Sequence, residues 1–179
     1  MRKIQAFIIM NGVGRWFIVA KITFSGINEY ASLLNRISQN ADEIIEKMLY
    51  EGTKIVADEV KQSIEALPTD EDWGTQAKPA KGIRKEQKEG LIKSFGVTPI
   101  QKDGDYYNTK IGFDGYNDVK TAKYPNGQPN IVIARVAESG TIFSLKTPFF
   151  RKAVNRSKKR AEEKMEEIFS QEIEKITKG

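Results

Sequence analysis

The sequence predicts an α+β fold in which a long N-terminal amphipathic helix and a long C-terminal helix flank a small antiparallel β-sheet. Helical spacing of apolar residues dominates both ends of the chain, while turn signals and β-branched or aromatic residues fill the middle. No β-α-β alternation occurs, so nothing calls for a parallel doubly wound sheet.

The chain opens MRKIQAFIIMNGVGRWFIVAKITF, basic residues followed by an apolar run. That order resembles a signal peptide, but Asn11, Gly12, Gly14 and Arg15 interrupt the run and no small-x-small cleavage pattern follows. The run is also too broken for a membrane helix of about 20 apolar residues. Residues 1–24 are therefore expected to be an N-terminal extension or strand, with Trp16–Phe24 as the strand segment. A soluble intracellular protein without membrane contact is the expectation. A single α+β domain is expected over 25–179.

From Ile27, apolar residues recur at Tyr30, Leu33, Leu34, Ile37, Ala41, Ile44, Ile45, Met48 and Leu49, and the spacing continues to Leu67. Asn40 followed by Glu43 has the form of a capping box, which predicts a short helix over 28–38 and a longer one over 41–66. Pro68 stops it. At 1.5 Å per residue the longer piece reaches about 40 Å, more than a compact domain of this size needs, so part of its stripe is expected to face another subunit or a distant partner. Residues 68–88 carry prolines, glycines and alternating charge, with Trp73 and Ile83 as their bulky apolar groups, and are expected to form an exposed loop.

Gly90–Gln101 and Tyr106–Phe113 are expected to pair as a hairpin about the turn Lys102-Asp103-Gly104-Asp105. A second exposed loop is expected over 114–130, leading to IVIARVAESG, which reads as a buried strand or a helical turn, with the short helix favoured. Thr147-Pro148 marks a helix start, since threonine caps and proline fits the first turn. Phe149, Phe150, Ala153, Val154, Ala161, Met165, Ile168 and Phe169 then carry helical spacing towards the C-terminus.

Composition narrows the chemistry. Hydrophobic residues make up 39% and charged residues 30% of the 179, on the polar side of average. Cysteine is absent, which removes disulfides and zinc–cysteine sites. Histidine is absent too, and with it the usual general base near neutral pH and the usual metal ligand. No catalytic, cofactor-binding or metal-binding residue is expected. The formal charge of +5 permits contact with nucleic acid or another acidic surface without requiring it.

Glu138-Ser139 can be weighed as a catalytic pair, but serine needs a base, and Ala137-Glu138-Ser139-Gly140 does not match the nucleophile elbow. The bland alternative has Gly140 making a tight turn and Glu138 capping or pairing locally. Asp103, Asp105, Asp114, Asn117 and Asp118 do not fit a calcium-loop spacing and suit turns for backbone reasons. Gly12-Val13-Gly14 lacks the rest of a dinucleotide fingerprint.

The strongest charge feature comprises Lys146, Arg151, Lys152, Arg156, Lys158, Lys159 and Arg160, with no acid between Ser139 and Ala161. Arg151 and Lys152 stand in the first turn of the expected helix, where the macrodipole disfavours positive charge, so something should offset them. A solvated or acid-paired face competes here with contact to DNA phosphates. Glu162, Glu163, Glu166 and Glu167 follow at once and favour the former.

The order of these elements resembles a known family. Gly90-Leu91-Ile92-Lys93-Ser94-Phe95, Glu138-Ser139-Gly140-Thr141 and Pro148-Phe149-Phe150-Arg151-Lys152-Ala153, set between two long helices, are similar to motifs of the minor structural proteins of long-tailed bacteriophages. These are the neck, head–tail joining or tail-completion proteins, also called tail components. The resemblance covers about residues 24–176. It departs from the family pattern where Lys88-Glu89 precede Gly90, where Ser139 follows the glutamate, and in the extra residues 1–23.

The resemblance implies a virion structural protein of a phage or prophage, without enzymatic activity, present in the host cytoplasm during assembly. It implies self-association into a ring of about six or twelve copies, or a monomer that closes into a ring only on its docking partner. Its implied partners are the phage connector, adaptor and tail proteins. Gly90, Leu91, Ser94, Glu138, Gly140, Thr141, Pro148, Phe149, Phe150 and Ala153 would be the structural motif. Arg151, Lys152, Arg156, Lys158, Lys159 and Arg160 would contact DNA or a neighbouring subunit. The reading from another class is a basic nucleic-acid-binding module built on Arg151–Arg160.

Overall fold

The computed structural model describes residues 2–10, 16–24 and 27–178. It is an α+β protein with antiparallel strand pairs and long first and last helices. Two compact units are present, residues 1–42 with 172–179, and residues 43–171. The division falls within the first and last helices, not at residue 25, because each helix outruns the core it serves. Burial on the first helix begins at Ile44, and on the last it ends at Ile168.

In the smaller unit, β1 (Arg2–Met10) and β2 (Trp16–Phe24) pair antiparallel in one unbroken register from Arg2 opposite Phe24 to Met10 opposite Trp16. Trp16–Phe24 is a strand, one of the two alternatives that the sequence leaves open. Gly12, Val13 and Gly14 lie outside the described residues.

Helix α1 (Ile27–Glu65) runs without interruption. The break expected at Asn40 does not occur. Asn40 Nδ2 donates instead to the Arg36 carbonyl one turn back, at 2.7 Å, and so serves a continuing helix and not the start of a new one. The helix ends just before Pro68, and Lys88 Nζ donates to the carbonyl of Leu67, two residues past the last helical residue, at 2.9 Å.

Residues 68–88 are not uniformly exposed. Thr69 and Ile83 form a bridge that buries Ile83 in the core, and the Asp70 carboxylate accepts the N–H groups of Asp72 (3.1 Å) and Lys81 (2.9 Å). The end of this segment is already α2 (Lys85–Ser94), which also takes Gly90–Ser94 from the expected strand. Local composition is overridden there by capping and burial. The Lys85 N–H finds Glu71 Oε1 at 3.0 Å, the Arg84 N–H finds Gln87 Oε1 at 2.9 Å, and the helix turns Leu91 into the core.

The hairpin forms from Phe95 onward. Strand β3 (Phe95–Val97) pairs with β6 (Ile111–Phe113), and β4 (Gln101–Asp103) with β5 (Tyr106–Asn108), around a turn where Gly104 takes φ 59°. Val97 faces Ile111 but Gln101 faces Asn108, so Thr98–Ile100 oppose only Thr109 and Lys110. That extra residue is a bulge, and it contains Pro99, which could not donate to a regular ladder.

The second loop is also partly buried: Asn117, Gln128 and Asn130 are enclosed, and Pro129 leads into α3 (Asn130–Ser139). Helix α4 (Phe150–Lys178) begins two residues beyond Pro148, so Thr147 does not stand at its N-cap, and the Phe150 and Arg151 N–H groups go to the Glu138 carboxylate instead. The core joins Val60 and Ile64 of α1 and Leu67 just beyond it with Leu91 of α2, Ile133, Ala134 and Ala137 of α3, and Phe149 and Ala153 at α4. Within this larger unit α4 runs antiparallel to α1. Gly52 lets them approach, since a Cβ there would lie 2.7 Å from Met165 Cγ.

Candidate functional site

The sequence motifs converge on the start of α4. Gly140, at φ 72°, ends α3 and turns the chain so that Glu138 on the last turn of α3 faces the first turn of α4. Glu138 Oε2 accepts the Phe150 N–H at 2.9 Å and Oε1 the Arg151 N–H at 3.3 Å; the Arg151 guanidinium lies 3.7 Å from Oε1. The carboxylate thus caps α4 and offsets the cationic residues in its first turn.

Phe149 and Phe150 then meet Phe113 of β6 at ring-centre distances of 6.2 and 6.4 Å, and Phe95 lies 5.7 Å from Phe113 on the facing strand. Ala153, fully buried, lets α4 settle against this aromatic group, and Leu91 supports it from α2. Both oxygens of Glu138 already accept hydrogen bonds, and Ser139 beside it is exposed. The arrangement fastens elements together.

Other motif residues stand apart. Gly90 faces away from the aromatic group, against Asn117 and Asn130, and a Cβ there would lie 2.6 Å from Asn117 Cβ and 2.7 Å from Asn130 Oδ1. Ser94 Oγ turns back to the Leu91 carbonyl at 3.4 Å. Thr141 closes a tight exposed turn with Ser144.

Sequence reasoning missed two groups of residues. Behind Gly90, buried amides interlock: Gln87 Nε2 donates to Gln128 Oε1 at 2.6 Å, and Asn130 Nδ2 donates to the Asp114 carbonyl at 2.9 Å. An open polar cleft of about 560 Å³ adjoins them, with Asp114 and Asp118 on its lining. Among the described residues no cluster of three or more acidic side chains is placed to hold a metal ion. The only signals for these amides were Asn and Gln in Pro- and Gly-rich sequence, which ordinary turns also produce.

The second missed residue is Glu59. Its carboxylate meets Arg156 Nε at 3.0 Å and Arg160 Nη2 at 2.7 Å, while Arg156 Nη2 also donates to buried Ser63 Oγ at 2.9 Å. Lys158 pairs with Glu162 at 3.7 Å and Lys159 with Glu163 at 3.6 Å. Of the basic residues singled out over 151–160, Lys152 alone lacks an acidic partner among the described residues. The basic segment is therefore largely engaged with acids of its own chain.

No helix among the described residues is long and apolar enough to cross a membrane. Compared with protein-family models, curated proteins and solved structures, the chain finds no match in any of the three.

Proposed function

We propose that this chain is a non-enzymatic structural protein of the head–tail connector of a long-tailed bacteriophage or prophage, working as a ring-forming neck or tail-completion component. The observation that carries it is the joint at the start of α4. The residues on which the family resemblance rests, Glu138, Phe149, Phe150, Ala153 and Leu91, build a rigid fastening between helices and hairpin and leave no reactive group free. A connector component needs such a frame to transmit force, and it needs apolar surface for its neighbours. Tyr50, Trp73, Ile142, Phe143 and Leu145 are large, apolar and exposed in the single chain.

Light scattering of the purified protein, together with pull-downs against the portal, adaptor and tail proteins of the encoding phage, tests this. Ring-sized particles, or capture by a connector or tail protein, are expected. A strictly monomeric protein that recovers no virion protein and binds DNA with sequence preference would defeat the proposal in favour of a nucleic-acid module. The pairing of Arg156 and Arg160 with Glu59 speaks against that module.

A further inference from the structure

We infer that the turn at 141–145, together with Trp73, is an apolar knob that inserts into a groove between α1 and the hairpin bulge of a second copy. This inference rests on the ring proposal and assigns its contact surfaces.

The knob is built to stay exposed. Ile142 (62%), Phe143 (52%), Leu145 (51%) and Trp73 (60%) project into solvent from two loops that are locked together. The Ala80 N–H donates to the Phe143 carbonyl and the Leu145 N–H to the Ala80 carbonyl, both at 2.9 Å. Thr141 closes the turn by donating to the Ser144 carbonyl at 2.8 Å, and its Oγ1 accepts the Phe143 N–H at 3.1 Å. Gly74 is needed for the approach, since a Cβ there would lie 1.8 Å from the Phe143 oxygen. Arg84 lies over the Trp73 ring at 5.1 Å and steadies it. A mobile loop would hide these side chains or lose entropy on binding. This one presents them already ordered, as binding hot spots require.

The groove has a volume of about 650 Å³ and is lined mainly by Tyr50 and Ala57 of α1 and by Val97, Pro99 and Ile100 of the hairpin. Tyr50 and Val97 are themselves exposed large apolar residues. The bulge at Thr98–Ile100 interrupts the ladder, and Pro99 has no N–H, so this rim cannot accept a regular added strand. Inserted side chains suit it better.

Charge selects a second copy as the occupant. The knob carries Lys146 directly after Leu145, and Asp72, next to Trp73, lies 4.0 Å from Lys78 of its own chain; the groove carries Glu46 and Lys54 about 12 Å apart along α1. Lys146, Glu46 and Lys54 have no ion-pair partner among the described residues. Docking with Lys146 towards Glu46 gives each of these two charges a partner. Knob and groove are different surfaces, so each copy keeps one of each free. Such a head-to-tail contact closes into a ring where the rotation permits.

Sedimentation and light scattering of Phe143→Asp (knob), Val97→Asp (groove) and their mixture test the inference. Each variant alone is expected to associate more than about tenfold more weakly than the wild type, because a charge is forced into an apolar contact. Mixed, they should form a one-to-one pair that grows no further, since one chain retains the groove and the other the knob. Lys146→Glu and Glu46→Lys should each weaken assembly, and together restore it. Unchanged circular dichroism and melting in the variants exclude misfolding. If both aspartate variants assemble like the wild type, the knob contact is wrong and the ring proposal stands on other surfaces. If the wild type remains monomeric throughout a concentration series, the contact between copies is wrong, while capture by connector proteins still decides the ring proposal separately.

Discussion

Glu138 on the last turn of α3 accepts the backbone N–H of Phe150, the first residue of α4, at 2.9 Å. Twelve residues separate the two in sequence, so the cap of the longest C-terminal element comes from outside that element. Orientation of α4 is thereby tied to the end of α3, and the aromatic contacts of Phe149 and Phe150 with Phe113 follow from that tie.

Glu138→Ala is expected to lower stability by about 1–2 kcal/mol, the usual effect of losing a helix cap, read as a lower denaturation midpoint at unchanged slope. Glu138→Gln retains an acceptor oxygen but not the charge beside Arg151, and should fall between the two. Equal stability of all three proteins would show that the cap contributes nothing.

Gly90→Ala sets two effects against each other. Alanine in a helix interior gains about 1 kcal/mol over glycine, but a Cβ here meets Asn117 Cβ at 2.6 Å and Asn130 Oδ1 at 2.7 Å. Overpacking costs about 1–3 kcal/mol, so net destabilisation is expected in thermal melts, with disturbed side-chain amide signals from Asn117 and Asn130 in NMR spectra. A stabilised variant would refute the close approach.

Glu59 is largely enclosed and serves two guanidinium groups, each more than half exposed. Glu59→Ala is expected to lose about 0.5–2 kcal/mol, and a double-mutant cycle with Arg160→Ala should return a coupling of about 0.2–1 kcal/mol that shrinks as salt rises. Zero coupling at low salt would mean that the pair is incidental.

The Asp70 carboxyl is held below its usual range, first by the Lys81 N–H and then by the Asp72 N–H. Because the folded value is depressed, its contribution is present above the ordinary aspartate value and is lost as pH falls through the lower folded one. The amide resonances of Asp72 and Lys81 should therefore shift together with a midpoint below 3.8, and Asp70→Asn should abolish the shift. A midpoint at or above 3.8 would contradict the cap.

The sequence by itself determined the long first and last helices and the hairpin turn at Gly104, and it favoured the short helix over α3. Each depends on interactions within a few residues: the period of apolar side chains, the sterics of proline, the positive φ open to glycine. It also removed histidine and cysteine chemistry outright. Only the tertiary structure decided that α1 continues through Asn40, that Gly90–Ser94 are helical, and that Glu138 caps α4. The same holds for Gln87 meeting Gln128 across 41 residues and Arg160 meeting Glu59 across 101. A polar side chain names no partner in advance. Its hydrogen-bonding capacity is satisfied equally by water until burial removes the water, and the partner is then whichever group the packed core has brought within about 3 Å.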